Sequence, residues 1–443
     1  MLGFNIKKFI KENKLFNNFT TQFIGQNLSA VLQLINLSLL ISYLGAEKNG
    51  VLISVQVYCY LMSDLLSVQS ASSIIAYVSE SLKDKNKVLA ITYIKIGFLL
   101  DILLGAVAAI IGYLLLDLSV KYFNWSKEIS GYISVYLFVC FFRFMYTGTA
   151  LGILRLREKY FQISIVKNIY QLLRLVSIGF YFYSTPGIYT VILIELILEC
   201  ARDLLFLLFA IMETNKILPS IEENRGVVKP EQVKSFIKFN LANGISLTAD
   251  VILGHLSSLY ISKFVGFDSV TIFRVLERIG GVFLRFTAPL SEVLYPEICV
   301  LISEGKGKIA NNIVKKLSLG IFSSTSIVLI LLGVFYENWM TFFVTNPQDF
   351  YILTVYALIF AGFNASVSAF HQLFMAYRFV KVNSYLTVIL NIIYLCLLSK
   401  VLSSYGLEGM VLLQLSQSII MIAFKYLYFS IKLKKSGYSV FVN

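Results

Sequence analysis

Twelve stretches of this chain are long and apolar enough to cross a bilayer, and that repetition limits its possible folds more than any other feature. A membrane-crossing helix needs about 20 mostly apolar residues. The stretches cover residues 16–44, 51–80, 88–116, 129–154, 160–183, 188–213, 235–265, 269–303, 312–336, 350–376, 382–402 and 407–431. Inside hydrocarbon every peptide group needs an internal partner, so each stretch is expected to be helical. The composition agrees: 57% of residues are hydrophobic and 14% charged, whereas a soluble surface needs about 25% charged residues. Outer-membrane barrels alternate apolar and polar residues and do not produce such runs. The expected fold is an all-α polytopic membrane protein.

The only long polar connection runs over 214–234, with Pro219, Glu222, Glu223, Asn224, Arg225, Gly226 and Pro230. It divides the chain into an N-terminal six-helix lobe (1–213), a cytoplasmic linker, and a C-terminal six-helix lobe with a basic tail (235–443). The formal charge of +13 follows orientation and not nucleic-acid binding. Lys7, Lys8, Lys11, Lys14, Lys83, Lys85, Lys87, Arg155, Arg157 and Lys159 begin a run of basic connections on one side, which Lys432, Lys434 and Lys435 end. Lys48, Lys121, Lys127, Lys263 and Lys400 are all that the other side carries. This asymmetry places both termini in the cytoplasm. The first apolar stretch lacks a small-residue cleavage site and reads as a retained helix. Trp125 and Trp339 fall in outward loops, where interfacial indoles are expected.

The two halves resemble each other. Tyr122-Phe123-Asn124-Trp125 matches Tyr336-Glu337-Asn338-Trp339, and Arg157 followed by Asn168-Ile169-Tyr170 matches Arg378 followed by Asn391-Ile392-Ile393-Tyr394. Leu44-Gly45 and Ser79-Glu80 have counterparts in Val265-Gly266 and Ser303-Glu304. Six helices return a chain to its starting side, so the lobes are expected to be related by a pseudo-two-fold axis along the membrane normal, as in many transporters.

Polar residues inside the spans gather in stripes. The first span carries Gln22, Gln26, Ser29, Gln33 and Asn36 at steps of four and three, on one helical face. The seventh carries Asn240, Asn243, Asp250, Gly254 and Ser257. The eighth carries Arg274, Arg278, Arg285 and Glu292, and the second offers Gln56, Ser63, Ser67 and Ser70 with Asp64 beside them. Spans 1, 2, 7 and 8 are therefore expected to line a central cavity. Intramembrane charges cost about 2.5–3.5 kcal/mol each on insertion scales, which makes them functional candidates. Arg274, Glu277 and Arg278 read either as a local ion cluster or as ligand contacts. Arg285 has no acid one turn away, so it needs a partner on another helix or a ligand. Asp64 and Asp250 are open to pairing with Arg285 or to carrying a coupling proton or sodium ion, and Glu292 joins them as an ion-coupling candidate. Arg143, Arg174, Glu195, Glu199, Arg202 and Asp203 read as ion pairs within one lobe.

Five cysteines at apolar positions without CxxC spacing, and two histidines, point to no metal centre, redox site or cofactor. P-loop, HExxH and Asp-x-Asp sugar-nucleotide motifs are absent from the sequence, so an ion or substrate gradient is the expected energy source.

With Leu44-Gly45-Ala46-Glu47-Lys48-Asn49-Gly50 closing the first span, the chain resembles the Wzx-type polysaccharide flippases of the multidrug/oligosaccharidyl-lipid/polysaccharide exporter superfamily. Ile261 to Gly266 before a long span ending Leu294-Tyr295-Pro296-Glu297, and Gly406-Leu407-Glu408-Gly409 opening the last, are similar to that family too. Where the family often has an acidic-basic pair, this chain has His255-Leu256-Ser257-Ser258. The resemblance implies a bacterial inner-membrane flippase for undecaprenyl-diphosphate-linked oligosaccharide, such as an O-antigen repeat unit. It implies transfer from the cytoplasmic to the periplasmic leaflet, with H+ or Na+ for coupling and a polysaccharide polymerase as partner. On that reading Arg274, Arg278 and Arg285 clamp the diphosphate. Gln22, Gln26, Gln33, Asn36, Asn240 and Asn243 hydrogen-bond the glycan. The alternatives are a cation-coupled multidrug exporter of the same superfamily and, from another class, an integral-membrane glycosyltransferase or polysaccharide polymerase, against which the short outward loops count.

Overall fold

The computed structural model describes residues 14–66, 70–217 and 228–435. Lys7, Lys8 and Lys11, most of the linker expected at 214–234 and the end of the basic tail lie outside the described residues. Every regular element among the described residues is a helix.

Helix α1 (Lys14–Leu65) is two helices joined at Gly45, whose φ of 77° and ψ of 165° interrupt the helical path. Short α2 (Ser70–Lys83) completes the second expected span, and α3 (Lys87–Leu114) is the third. α4 (Leu116–Phe123) lies in the connection to the fourth span. The fourth span is broken into α5 (Lys127–Tyr136), α6 (Val139–Thr147) and α7 (Thr149–Leu156). α8 (Tyr160–Ser184), α9 (Ile188–Ile217), α10 (Pro230–Phe264), α11 (Phe267–Ser303) and α12 (Gly307–Val334) follow. After the single turn α13 (Tyr336–Met340), α14 (Tyr351–Ala376) leads to α15 (Val380–Lys435), again two helices, joined at Gly406.

Seven of these segments are apolar enough to cross a membrane by hydropathy alone. Two of the seven run through the Gly45 and Gly406 kinks and hold two spans each, and the polar α9, α10 and α11 supply the remaining three. The twelve expected spans are thereby accounted for. The chain is a multi-pass membrane protein. Large apolar side chains on the outer faces agree with this: Leu99, Leu103, Ile110 and Leu114 of α3 are each more than half exposed, a pattern that water would penalise and lipid accommodates.

The chain divides into two compact units, Met1–Leu259 and Tyr260–Asn443. The division falls within α10 and not in the polar connection. The physical reason is Phe236 near the start of α10, which is fully buried in the core of the first unit with Ile74, Val78, Tyr93, Ile153 and Phe206. In the second unit Leu294, Ile298, Val314, Leu373, Phe374 and Phe429 form the core, with α11 and α12 packed on α14 and α14 on α15. Inside this unit Gln417 Nε2 donates to Asn391 Oδ1 at 2.7 Å. Buried Lys425 lies 3.2 Å from His371 Nδ1.

Turn geometry recurs between the halves. Positive φ angles occur at Gly45, Lys85, Glu158 and Thr185, and again at Gly266, Gly305, Arg378 and Gly406, 220 or 221 residues later. The turns also share hydrogen bonds. Asn86 N donates to Ser81 O and Lys306 N to Leu301 O, both at 2.8 Å, which is the six-to-one bond of a Schellman cap. This backbone agreement supports the repeat more firmly than the short sequence matches do.

The tryptophans differ from the sequence expectation. Trp125 is buried, stacked on Phe123 at 5.0 Å between ring centres and edge-on to Tyr58. Trp339 turns its indole N–H onto Leu332 O at 2.9 Å. Both anchor their loops to protein.

Candidate functional site

The interior of the first unit holds an unusual concentration of charge. On α9, Glu195, Glu199, Arg202 and Asp203 follow the three-to-four spacing that puts them on one helical face. That face meets α6 and α8, against which α9 packs. Arg174 Nε donates to Glu195 at 2.8 Å, and Arg202 Nε donates to Asp203 Oδ1 at 2.7 Å. Arg202 also lies over the rings of Tyr146 and Tyr170, 4.7 and 4.8 Å from their centres. These pairs bear out the reading of Arg174, Glu195, Arg202 and Asp203 as ion pairs within one lobe.

Arg143 also pairs within that lobe, with a partner on an earlier helix. Its Nη2 lies 3.0 Å from Asp64 Oδ2 on α1, and its guanidinium covers the Tyr60 ring at 4.1 Å. The same Asp64 oxygen is 2.8 Å from His255 Nε2 on α10. Asp64 is therefore engaged by Arg143 and His255. The sequence leaves Asp64 open to Arg285 or to a coupling ion, and it sets the two histidines aside only as a metal centre.

Glu199 is the carboxylate in this network that, among the described residues, makes no ion pair. Its Oε1 accepts from the hydroxyls of Tyr60 and Tyr170, the second at 3.4 Å. Its Oε2 is buried without a hydrogen bond. The guanidiniums of Arg143, Arg174 and Arg202 act on it electrostatically without forming an ion pair with it. A carboxylate excluded from water and hydrogen-bonded by neutral donors can hold a proton or a small cation, because buried charge in a low-dielectric interior is costly. Arg143, Tyr60, Glu199, Tyr170 and Arg202 thus form one continuous chain of contacts between Asp64 and Asp203.

The other candidates fall in several places. Asn36 is buried, and its Nδ2 donates to Gln171 O at 2.9 Å and Gln171 Oε1 at 3.0 Å. Asn240 is buried, with Nδ2 3.4 Å from Ser70 Oγ. Both amides serve interior partners, which helical spacing alone could not reveal. Gln33 Nε2 reaches Ser29 Oγ on its own helix at 3.3 Å, while Gln22 and Gln26 are half-buried. Arg274 Nη1 donates to Glu277 at 2.8 Å, the local pair that its spacing allowed. Arg278 and Arg285 are half-buried on the same stripe of α11. The side chains of Asn243, Asp250 and Glu292 lie outside the described residues.

The sequence reading missed Tyr60, Tyr170 and His255. For His255 the signal was its place where the resembling family often has an acidic-basic pair; for Tyr60 and Tyr170 there was none, because their roles arise from which helices face each other.

No protein-family model matches the chain, and no curated protein matches it in sequence. Solved structures do match in fold. One is the inward-facing conformation of a multidrug resistance MATE family transporter of the MOP superfamily, with a TM-score of 0.67, 13% identity, and coverage of 91% of this chain and 96% of that one. An outward-facing conformation bearing the same family description gives a TM-score of 0.64 at 13% identity, over 95% of this chain and 96% of that one. A mutant of the Vibrio cholerae MATE transporter VcmN gives 0.62 at 15% identity, over 95% and 97%. Over nearly its whole length, then, this chain has the two-lobed, all-helical fold of the MATE transporters.

Proposed function

We propose that the chain is a cation-coupled exporter working by alternating access, with Glu199 holding the coupling cation, H+ or Na+. The observation that carries this is the buried Glu199 carboxylate, bonded to two tyrosines and to no cation among the described residues. An acidic and aromatic interior is what a pump for cationic, amphipathic compounds requires. The family description of the similar structures as multidrug resistance transporters supports the same reading. Two six-helix lobes joined by the 214–234 linker, both termini cytoplasmic, and residence in a bacterial inner membrane belong to this proposal. The test is efflux of a cationic dye from proteoliposomes under an imposed H+ or Na+ gradient. Gradient-dependent efflux that Glu199→Gln abolishes supports the reading; efflux indifferent to both gradients overturns it.

A second reading is the lipid-linked oligosaccharide flippase, which one observation favours. Arg274, Arg278 and Arg285 stand on one stripe of α11, with Arg278 and Arg285 half-buried and Arg274 paired with Glu277. A guanidinium pair suits a diphosphate and opposes a cationic drug. On this reading the substrate is the undecaprenyl-diphosphate-linked repeat unit, and a polysaccharide polymerase consumes the product. Gene deletion discriminates: lipid-linked oligosaccharide accumulating on the cytoplasmic leaflet supports the flippase, and heightened sensitivity to cationic dyes with normal surface polymer supports the exporter.

A further inference from the structure

At the end of α9 one buried carboxylate gathers three cations. Glu213 Oε1 accepts from Lys216 Nζ at 2.7 Å and lies 3.6 Å from Lys159 Nζ, and its Oε2 lies 3.5 Å from Arg157 Nε. The Glu213 side chain is 7% exposed, whereas those of Arg157, Lys159 and Lys216 are 40%, 31% and 56% exposed. The acid therefore lies inside and the cations face outward. Arg157 and Lys159 flank Glu158, whose φ of 55° turns the chain from α7 into α8. A hydrogen bond from Lys159 N to Leu154 O at 2.8 Å fixes that turn. Lys216 comes from the last turn of α9, which packs on both α7 and α8.

Three positive charges around one negative leave a surplus of two. Arg155 and Glu158, both exposed in the same turn, add one charge of each sign and leave that surplus unchanged. Cations held this close repel one another, and Glu213 offsets only part of the repulsion. An external anion supplies the rest. A guanidinium fork beside two ammonium groups is a donor set suited to phosphate oxygens.

Helix α9 also indicates what carries the anion. Leu204, Leu208, Met212 and Lys216 follow one another at steps of four, which places them on one helical face. The three apolar side chains are 40%, 55% and 55% exposed, so the row lies against hydrocarbon in a membrane-spanning chain, and it runs directly into Lys216. At 1.5 Å per residue it extends about 18 Å, close to the about 15 Å depth of one leaflet's hydrocarbon. A soluble anion would use the cations alone, whereas a phospholipid uses the cations and the row together.

We infer that Arg157, Lys159 and Lys216 bind the headgroup of an anionic phospholipid of the surrounding bilayer, with an acyl chain along Leu204, Leu208 and Met212. Two surplus charges favour a headgroup bearing two phosphates over one bearing a single phosphate. The site is independent of what the chain transports and of the Glu199 network.

The test is native mass spectrometry of the purified full chain in detergent, titrated with cardiolipin, phosphatidylglycerol or zwitterionic phosphatidylethanolamine. One tightly held lipid per chain is expected, with cardiolipin at least about tenfold tighter than phosphatidylethanolamine and phosphatidylglycerol between them. Arg157→Gln and Lys216→Gln should each weaken cardiolipin about fivefold, the share of one basic residue in the attraction to anionic lipid, and leave phosphatidylethanolamine unchanged. Lys127→Gln, exposed at the start of α5, should leave all three lipids unchanged. If Arg157→Gln does not fold, Lys216→Gln, at the most exposed of the three cations, carries the test. Equal binding of anionic and zwitterionic lipids overturns the proposal, as does cardiolipin binding undiminished in the glutamine variants. Displacement of cardiolipin by millimolar inorganic phosphate would assign the cations to a soluble anion and would likewise overturn it.

Discussion

Asp64 Oδ2 lies 3.0 Å from Arg143 Nη2 and 2.8 Å from His255 Nε2, so one carboxylate oxygen joins three helices of the first unit. Breaking a buried pair by removing one partner typically costs about 3–5 kcal/mol, because the other charge is left without compensation. Arg143→Met is therefore expected to lower the unfolding midpoint of the purified protein more than the double replacement Asp64→Asn with Arg143→Met. Thermal unfolding in detergent checks this order. Equal destabilisation by single and double variants would mean that the pair is not coupled.

Glu199 depends on two hydroxyls. Tyr60→Phe and Tyr170→Phe each remove one donor while preserving the ring that receives an arginine. A lost hydrogen bond to a charged group is worth about 1.5–3 kcal/mol. Each variant should therefore alter the cation concentration for half-maximal efflux by about tenfold, near 1.4 kcal/mol, with little change in the amount reaching the membrane. Titration of efflux against the driving cation measures it.

The recurrent turns make opposite predictions at matched positions. Gly45 and Gly406 adopt φ/ψ combinations that essentially only glycine occupies, yet a Cβ at either meets no atom within 4 Å. Alanine at either position should cost about 1–3 kcal/mol through backbone strain alone. Thr185 is a β-branched residue at φ 46°, where its repeat mate is Gly406. Thr185→Gly should stabilise by about 1 kcal/mol, the relief of left-handed strain less the entropy that glycine gains when unfolded. Calorimetric or fluorescence melting decides both signs.

Arg285 separates the two substrate readings. If it grips a diphosphate, Arg285→Ala should abolish surface-polymer complementation while dye resistance is unaffected. If the chain exports cations, Arg285→Ala should leave efflux intact or improve it, because a repelling charge is gone. Complementation of a deletion strain, scored for both phenotypes, reads the outcome.

Spans were legible because hydropathy is a property of consecutive residues, and the helices carry it whatever they touch. Gly45, Gly406 and the polar turns marked where one span ends and the next begins. The broken fourth span was not legible, because Gly148 alone signalled the separation of α6 from α7. Helical spacing gave the stripe Gln22, Gln26, Gln33 and Asn36. It could not show that Asn36 turns inward to Gln171, which depends on how α1 rotates against α8. Glu195, Arg202 and Asp203 of α9 were correctly read as paired inside the lobe because i, i+4 spacing fixes their common face, whereas Glu199 on that face binds tyrosines and no arginine. The participation of His255, some 190 residues from Asp64 in the chain, depended on tertiary packing that no local pattern records.

The turns that recur at steps of 220 or 221 residues have a consequence for ancestry. Duplication of a shorter gene leaves two copies free to diverge, and here the backbone bends were kept while the interiors were rewritten. The first copy came to hold interlocked carboxylates and guanidiniums; the second holds the amide pair Asn391 and Gln417 and the Lys425–His371 contact. If the chain is the exporter proposed above, one half responds to ions while the other is free to drift with its cargo, and a change of cargo then need not disturb the half that drives it.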